Sequence, residues 1–178
     1  MRTHFFALAA LPLLLGACMS TTATSPSVTT AAATMANSAD FTRMATSSNM
    51  LEIESSRLAM ERARDRDVRR FASQMIRDHT RASQRMTAVV RRAGLPPAPA
   101  TLSAKHQAML DQLAAAGSES FDSAYVTLQV QAHDEAVTLF STYAQSGDDP
   151  RLADFARRTL PTLRMHANHV QRLSGAGA

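Results

Sequence analysis

Residues 68–89 read VRRFASQMIRDHTRASQRMTAV, and their spacing decides the fold class. Val68, Ala72, Met75, His79, Ala82, Met86 and Val89 recur at intervals of three and four, the period of one face of an α-helix, with Phe71 and Ile76 at its flanks. Arginine, serine and glutamine take most other positions, so the helix has one apolar face to bury and a histidine in the middle of it. Extended both ways, the pattern predicts a helix over about Asp65–Ala93. Gly94 serves as its C-cap, and Leu95-Pro96-Pro97-Ala98-Pro99 bars continuation.

The same period recurs on either side. From about Ser38 to Arg64, the residues Phe41, Ala45, Ser48, Leu51, Glu52, Ser55, Leu58 and Ala59 form one inward stripe that carries a carboxylate. A short amphipathic helix over about Ser103–Ala115 presents His106, Met109, Leu110 and Leu113. From about Ser118 to Gln145 the stripe is Phe121, Tyr125, Leu128, Ala132, Leu139 and Tyr143, with Gln129, His133, Ala136 and Phe140 alongside. A turn at Gly147-Asp148-Asp149-Pro150 follows, with Asp149 as N-cap and Pro150 in the first helical position. The last helix, about Pro150–Leu173, turns Leu152, Phe155, Ala156, Thr159, Leu160, Leu163, His166, Ala167 and Val170 inward. Pro161 is expected to disturb it, since proline removes a backbone hydrogen bond and crowds the preceding turn. Two hairpins with short turns, joined by a long connection that holds a crossover helix, predict an all-α domain over residues 38–174. This is the connectivity of a ferritin-like four-helix bundle.

The beginning of the chain is of a different kind. Arg2, an apolar run from Phe5 to Leu15, and Leu15-Gly16-Ala17-Cys18 read as a signal peptide over residues 1–17 that ends in a lipobox-like tetrapeptide. The apolar run is too short to span a bilayer. Cys18 is the expected lipidation site, and several acyl chains at roughly 0.8 kcal/mol per buried methylene make a lasting anchor; the alternative is ordinary secretion with Cys18 incidental. Neither Met19 nor Ser20 is the aspartate that commonly retains lipoproteins in the inner membrane, which points to the periplasmic side of the outer membrane. From Ser20 to Asn37 the chain is rich in Ser, Thr and Ala without hydrophobic period. Residues 18–37 therefore read as a lipidated, flexible linker.

Composition narrows the chemistry. Cys18 is the only cysteine, which excludes disulfides, thiolate metal clusters and dithiol redox pairs from the bundle. The formal charge of +4 makes the chain mildly basic, with Lys105 as its sole lysine. With no Trp, two Tyr and ten Met, the core is left to Ala, Leu, Val, Met and Phe.

Four motifs carry a family resemblance: Glu52-Ile53-Glu54 followed by Leu58-Ala59; Phe71-Ala72 with Met75-Ile76 and Asp78-His79-Thr80; Phe121-Asp122 and Tyr125-Val126 leading to His133; and Leu160-Pro161 with Leu163 and His166. In this order they resemble the domain of unknown function 4142 family, secreted or envelope-anchored bacterial proteins grouped with the ferritin-like bundles. The resemblance runs from about Phe41 to Leu173. It implies a fold and an address but no activity. Members often have Gly after the Glu-x-Glu of the first helix, where this chain has Ser55 and Ser56, a small-for-small exchange.

Each long helix places one potential metal ligand on or beside its inward stripe: Glu52, His79, His133 and His166. Bundles of this kind build metal sites from inward carboxylates and histidines on facing helices. One oxygen and three imidazole nitrogens suit a single zinc, copper, iron or manganese ion. A carboxylate-bridged di-iron centre needs Glu-x-x-His on two helices, and here Ile76 precedes His79 and Leu163 precedes His166, so that pattern is absent. The competing reading is a structural network, in which Glu52 pairs with one protonated His and the other imidazoles bond one another or the backbone. Counted from the turn near Arg64, Glu52 and His79 both lie about 20 Å along their helices, whereas His133 and His166 differ by about one turn when counted from Gly147. Asp78 and Asp134, about 100° round the helix from their neighbouring histidines, are expected to face solvent. His169 is expected at the edge of the seam and His106 on the bundle's surface.

No nucleophile elbow, phosphate loop or dinucleotide fingerprint is present, and no catalytic residue is assigned. The arginines of the second helix, with Arg70, Arg77 and Arg81 as the candidate basic face, are either simply solvated or meet lipid phosphates or another anionic envelope component. Nucleic acid does not fit that address. Three functional classes follow: a non-catalytic envelope lipoprotein acting by binding or stress protection, a metal-binding or redox protein using the Glu/His cluster, and an interaction module working through the arginine face.

Overall fold

The computed structural model describes residues 37–176. The signal peptide, Cys18 and nearly all of the linker lie outside the described residues. The described chain is helical throughout, with α1 Ser38–Arg62, α2 Arg66–Arg92, α3 Ala104–Ala115, α4 Phe121–Ser146 and α5 Pro150–Ala176. None of these helices is long and apolar enough to cross a membrane.

The helix ends are set by caps: Gly94, Asp149 and Pro150, as expected from sequence, and three further N-caps that the structure adds. Asn37 caps α1, Asp65 caps α2 and Ser103 caps α3, each side chain accepting backbone N–H groups that otherwise lack a partner. Asp149 Oδ1 accepts from Arg151 N at 2.8 Å and Leu152 N at 3.0 Å, and Pro150 opens α5 as expected. Gly94 takes φ 72°, the left-handed conformation that lets α2 end while Leu95 N bonds back to the Val90 carbonyl.

Pro161 does not break α5, which runs through it as one helix. The carbonyl of Arg157 loses its helical donor there, but Arg157 and Pro161 both lie on the exposed face, so the lost bond falls on the solvent side of the helix and not in the core.

Helices α1 and α2 pack as one hairpin and α4 and α5 as the other; α1 also packs on α4 and α2 on α5, giving a helical bundle. The crossover helix α3 lies over α1 and α4, burying Leu113, with Leu102, Met109 and Leu110 partly buried beside it. Its position is tied by hydrogen bonds to Ser47 on α1: Ser103 N donates to Ser47 Oγ at 2.8 Å, and Ser47 Oγ bonds His106 Nδ1 at 2.6 Å. At α3's far end the Arg62 guanidinium donates to the Ala114 carbonyl and stacks 4.5 Å from the Phe121 ring centroid.

The core divides in two. One apolar cluster gathers Phe41, Ala45, Met86, Ala136, Tyr143, Leu152 and Leu163; the other gathers Leu51, Phe71, Met75, Leu113, Tyr125, Ala132 and Val170. On α2, His79 falls between Met75 of one and Met86 of the other. His133 likewise falls between Ala132 and Ala136, His166 between Leu163 and Val170, and Asn49 between Ala45 and Leu51. A polar layer thus crosses the middle of the bundle.

Candidate metal centre

His79 from α2, His133 from α4 and His166 from α5 meet in this layer. Their side chains are 3%, 0% and 1% exposed, and their ring centroids stand 5.7, 5.6 and 5.5 Å apart in a near-equilateral triangle. One ring nitrogen of each lies within 4.8 Å of the corresponding nitrogens of the other two.

The expected one-turn offset between His133 and His166 does not keep them apart. Side chains on a helix lean toward its N-terminus. The two helices run antiparallel, so His133 leans away from the α4–α5 turn and His166 leans toward it, and the difference in height closes.

One nitrogen of every ring is engaged by the scaffold. His79 Nδ1–H donates to Asn49 Oδ1 at 2.8 Å, and His133 Nδ1–H donates to the Gln129 carbonyl at 2.9 Å. His166 Nε2–H donates to Asp78 Oδ2 at 3.1 Å. These bonds fix the tautomers, leaving lone pairs on His79 Nε2, His133 Nε2 and His166 Nδ1, all three buried with no hydrogen-bond partner. A histidine that gives one N–H to a carbonyl or carboxylate and keeps the opposite nitrogen bare is arranged as a metal ligand. Three nitrogens at roughly 2.0–2.1 Å from one ion are about 3.3–3.6 Å apart, so small side-chain rotations bring this triangle to ligand distance.

Burial also holds two of the rings, those of His79 and His166, neutral. His79 is held well below the usual imidazole range by desolvation and by the neighbouring His133 and His166; His166 is lowered to about 4 by desolvation and His133, against the opposing pull of Asp78. Neutral imidazole is the form that binds metal.

Glu52 stands outside this triangle. It is 0% exposed, and its Oε1 lies 3.3 Å from His133 Nδ1, behind the ring rather than at the convergence point. Burial pushes its carboxyl above the ordinary range, against His133 and Gln129, which pull it down. Neither oxygen completes a hydrogen bond. Around it, Gln129 Nε2 donates to Ser55 Oγ at 3.1 Å, and Ser56 Oγ bonds Tyr125 Oη at 2.9 Å.

The structure corrects the expectation for Asp78. It points across the α2–α5 seam to His166 instead of into solvent, because a position 100° from the inward direction falls on the side where α5 packs. Asp134 is exposed as expected. His169 lies at the seam's edge, its ring 5.1 Å from that of Phe71. His106 is more enclosed than expected: it bonds Ser47 and borders a cavity of about 770 Å³ between α1, α3 and α4. Asn49 went unread in the sequence, although a buried amide three residues before Glu52 on the same helix was a usable signal. No sequence signal marked the Gln129 carbonyl or the α5-facing turn of Asp78.

No curated protein matches the chain. Two solved structures share its fold with a TM-score of 0.68 each. The DUF305 fragment from Deinococcus radiodurans is 19% identical and covers 78% of this chain and 95% of its own. CopM in the Cu(II)-bound form is 20% identical and covers 80% of this chain and 98% of its own. The likeness is one of fold. At the level of sequence, the family described as Domain of unknown function (DUF4142) matches residues 23–173, which takes in α1 to α4, nearly all of α5 and every residue of the polar layer, and the chain belongs to that family.

Proposed function

We propose that the protein holds one transition-metal ion through His79, His133 and His166, and that it acts by binding rather than by catalysis. The observation that carries this reading is the meeting of three buried imidazoles from three helices with ligand atoms within 4.8 Å of one another, each ring holding one nitrogen in a hydrogen bond and the other without a partner. A self-contained structural network would bond the imidazoles to one another and leave few orphaned atoms. Here the rings share no hydrogen bond.

Copper is the ion we favour. Three imidazoles form a neutral donor set of a kind copper and zinc both accept, and the Glu52 carboxyl behind His133, which burial alone pushes toward its neutral form, would ionise to offset the charge of a bound cation. That CopM of the same fold is described in a Cu(II)-bound form supports trying copper first. An ion enclosed by side chains at most 3% exposed is suited to storage or protection from metal stress. In this reading the bundle is of the ferritin-like type, and Cys18 carries the acyl anchor that places it at the periplasmic face of the outer membrane.

The test is elemental analysis of protein purified from its native envelope, followed by titration with Cu(I), Cu(II) and Zn(II). About one equivalent of ion is expected in the native chain and well under a tenth of that in the double variant His79→Ala/His166→Ala, with helicity retained. Equal metal content in the two proteins sinks the reading.

A further inference from the structure

The basic surface named from sequence, Arg70, Arg77 and Arg81, is largely answered by its own helix. Arg70 pairs with Asp67, Arg81 Nη1 lies 3.7 Å from Asp78 Oδ1, and Arg77 Nη1 donates to Ser73 Oγ at 2.7 Å. A different set of arginines gathers where α2 ends and α5 begins. Arg85 and Arg92 of α2 and Arg151 and Arg158 of α5 line one groove of about 1070 Å³, with Val89 and Phe155 in its floor. The one acidic side chain lining it is Asp154, which pairs with Arg158. Arg151 lies 3.9 Å from the capping carboxylate of Asp149, whereas Arg85 and Arg92 form no ion pair among the described residues. All four arginines are exposed.

The groove opens at the end of the bundle where the chain enters. Ser38, the first residue of α1, bonds Tyr143 Oη at 3.1 Å and also Asp148, in the turn immediately before α5. Ala39 and Asp40 border one small cavity with Leu95 and the prolines that follow α2. The first described residues, Asn37 and Ser38, therefore stand at the same end that displays the four guanidinium groups.

We propose that this arginine groove docks the entry end of the bundle on the phosphodiester headgroups of an anionic phospholipid surface. Guanidinium forks match phosphate oxygens bidentately, and four of them around an apolar floor suit a headgroup carried on an apolar stem. Each arginine close to an anionic bilayer contributes about fivefold in affinity, and such attraction falls off within about 8–10 Å at physiological salt. The groove must therefore face the membrane closely, as its place at the chain's entry end allows. With residues 18–37 as a lipidated tether, docking becomes an intramolecular event that favours one orientation of the bundle on the bilayer.

The experiment is flotation of the full chain carrying Cys18→Ser, so that no acyl group contributes, with vesicles of phosphatidylcholine alone or with a third phosphatidylglycerol. Variant A is Arg85→Gln/Arg92→Gln/Arg151→Gln/Arg158→Gln. Variant B, matched in charge, is Arg57→Gln/Arg70→Gln/Arg77→Gln/Arg81→Gln. All three proteins share the same N-terminal residues, so differences between them report the arginines.

Binding to the anionic vesicles is expected to fall at least about tenfold in A and less than about twofold in B. It is also expected to weaken with salt and to survive millimolar inorganic phosphate at constant ionic strength. Equal losses in A and B reduce the effect to net charge and overturn the proposal. Displacement by inorganic phosphate assigns the groove to a free anion and overturns it as well. Helicity and a cooperative thermal melt matching the parent confirm that each variant is folded, whatever the histidine site binds, and the double variant Arg85→Gln/Arg151→Gln gives the same reading if A does not fold.

Discussion

An imidazole has two nitrogens, and each of the three buried rings spends one on the scaffold and keeps the other bare. The arrangement costs free energy without an ion, because a buried polar atom left unbonded costs on the order of 1–3 kcal/mol. Glu52 adds a carboxyl that burial pushes toward its protonated form. Its raised value means that its contribution to stability is present below the ordinary carboxylate range and is lost as pH rises through its folded value. Glu52→Gln is therefore expected to stabilise the metal-free protein at pH 8 by about 1–2 kcal/mol in urea denaturation, because the amide keeps the shape and removes the charge. The same variant should bind the ion roughly tenfold more weakly, having lost the offsetting charge. A stability loss of several kcal/mol would show instead that Glu52 is a structural ion-pair partner. Residue identity at the site was legible in sequence for the three histidines because inward position follows from helical period. Asn49 and Asp78 were not, since their roles depend on which neighbouring helix lies beside them.

At the scale of elements, the turns carry the information that aligns the histidines. Gly147 closes α4 with ordinary angles, φ −63° and ψ 142°, so glycine is needed there for space. A Cβ at this position would stand 2.6 Å from Tyr143 Cε1 and 2.6 Å from the Tyr143 carbonyl. Tyr143 cannot easily yield: its ring stacks 4.0 Å from that of Phe41, and its hydroxyl bonds Asp148 at 2.9 Å. Gly147→Ala is expected to cost about 1–3 kcal/mol in chemical denaturation, the usual penalty of overpacking. Because α4 and α5 position His133 and His166, it should also weaken metal binding. No change in either quantity would mean that the turn relaxes freely. The approximate helix spans, and the ends marked by Gly94 and Asp149-Pro150, were legible in sequence, since local chemistry fixes them, whereas the caps Asn37, Asp65 and Ser103 were not among the sequence expectations. The unbroken course of α5 through Pro161 was not, because its tolerance depends on which side of the packed helix faces water.

At the scale of the whole molecule, burial of the histidines couples folding to protons, and an ion bound as proposed would couple to it as well. His79 and His166 both titrate below the usual imidazole range, His166 at about 4, because burial penalises the cation. The unfolded chain takes up these protons first as pH falls. The metal-free protein should thus keep this part of its stability above about pH 6.5 and lose it progressively as pH falls toward about 4, which thermal melts across that range would show. Melts unchanged between pH 7 and 4.5 would mean that the rings are not held neutral. Ion present at a hundredfold excess over its dissociation constant should add about 2.7 kcal/mol, raising Tm by on the order of 10 °C for a domain of this size. Packing of two hairpins was foreseeable from connectivity, but the arginine groove was not, since it joins residues some sixty positions apart on separate helices.

The polar layer also governs how the bundle comes apart. Two apolar cores occupy the same four long helices, parted by a belt holding seven buried atoms without partners among the described residues. Such a belt is the place where water enters at least cost, so the two halves of the metal-free protein are expected to open as separate cooperative units, which amide hydrogen exchange would resolve as two distinct protection classes. An ion held as proposed by α2, α4 and α5 at once would remove that weak seam, and the halves should then open together.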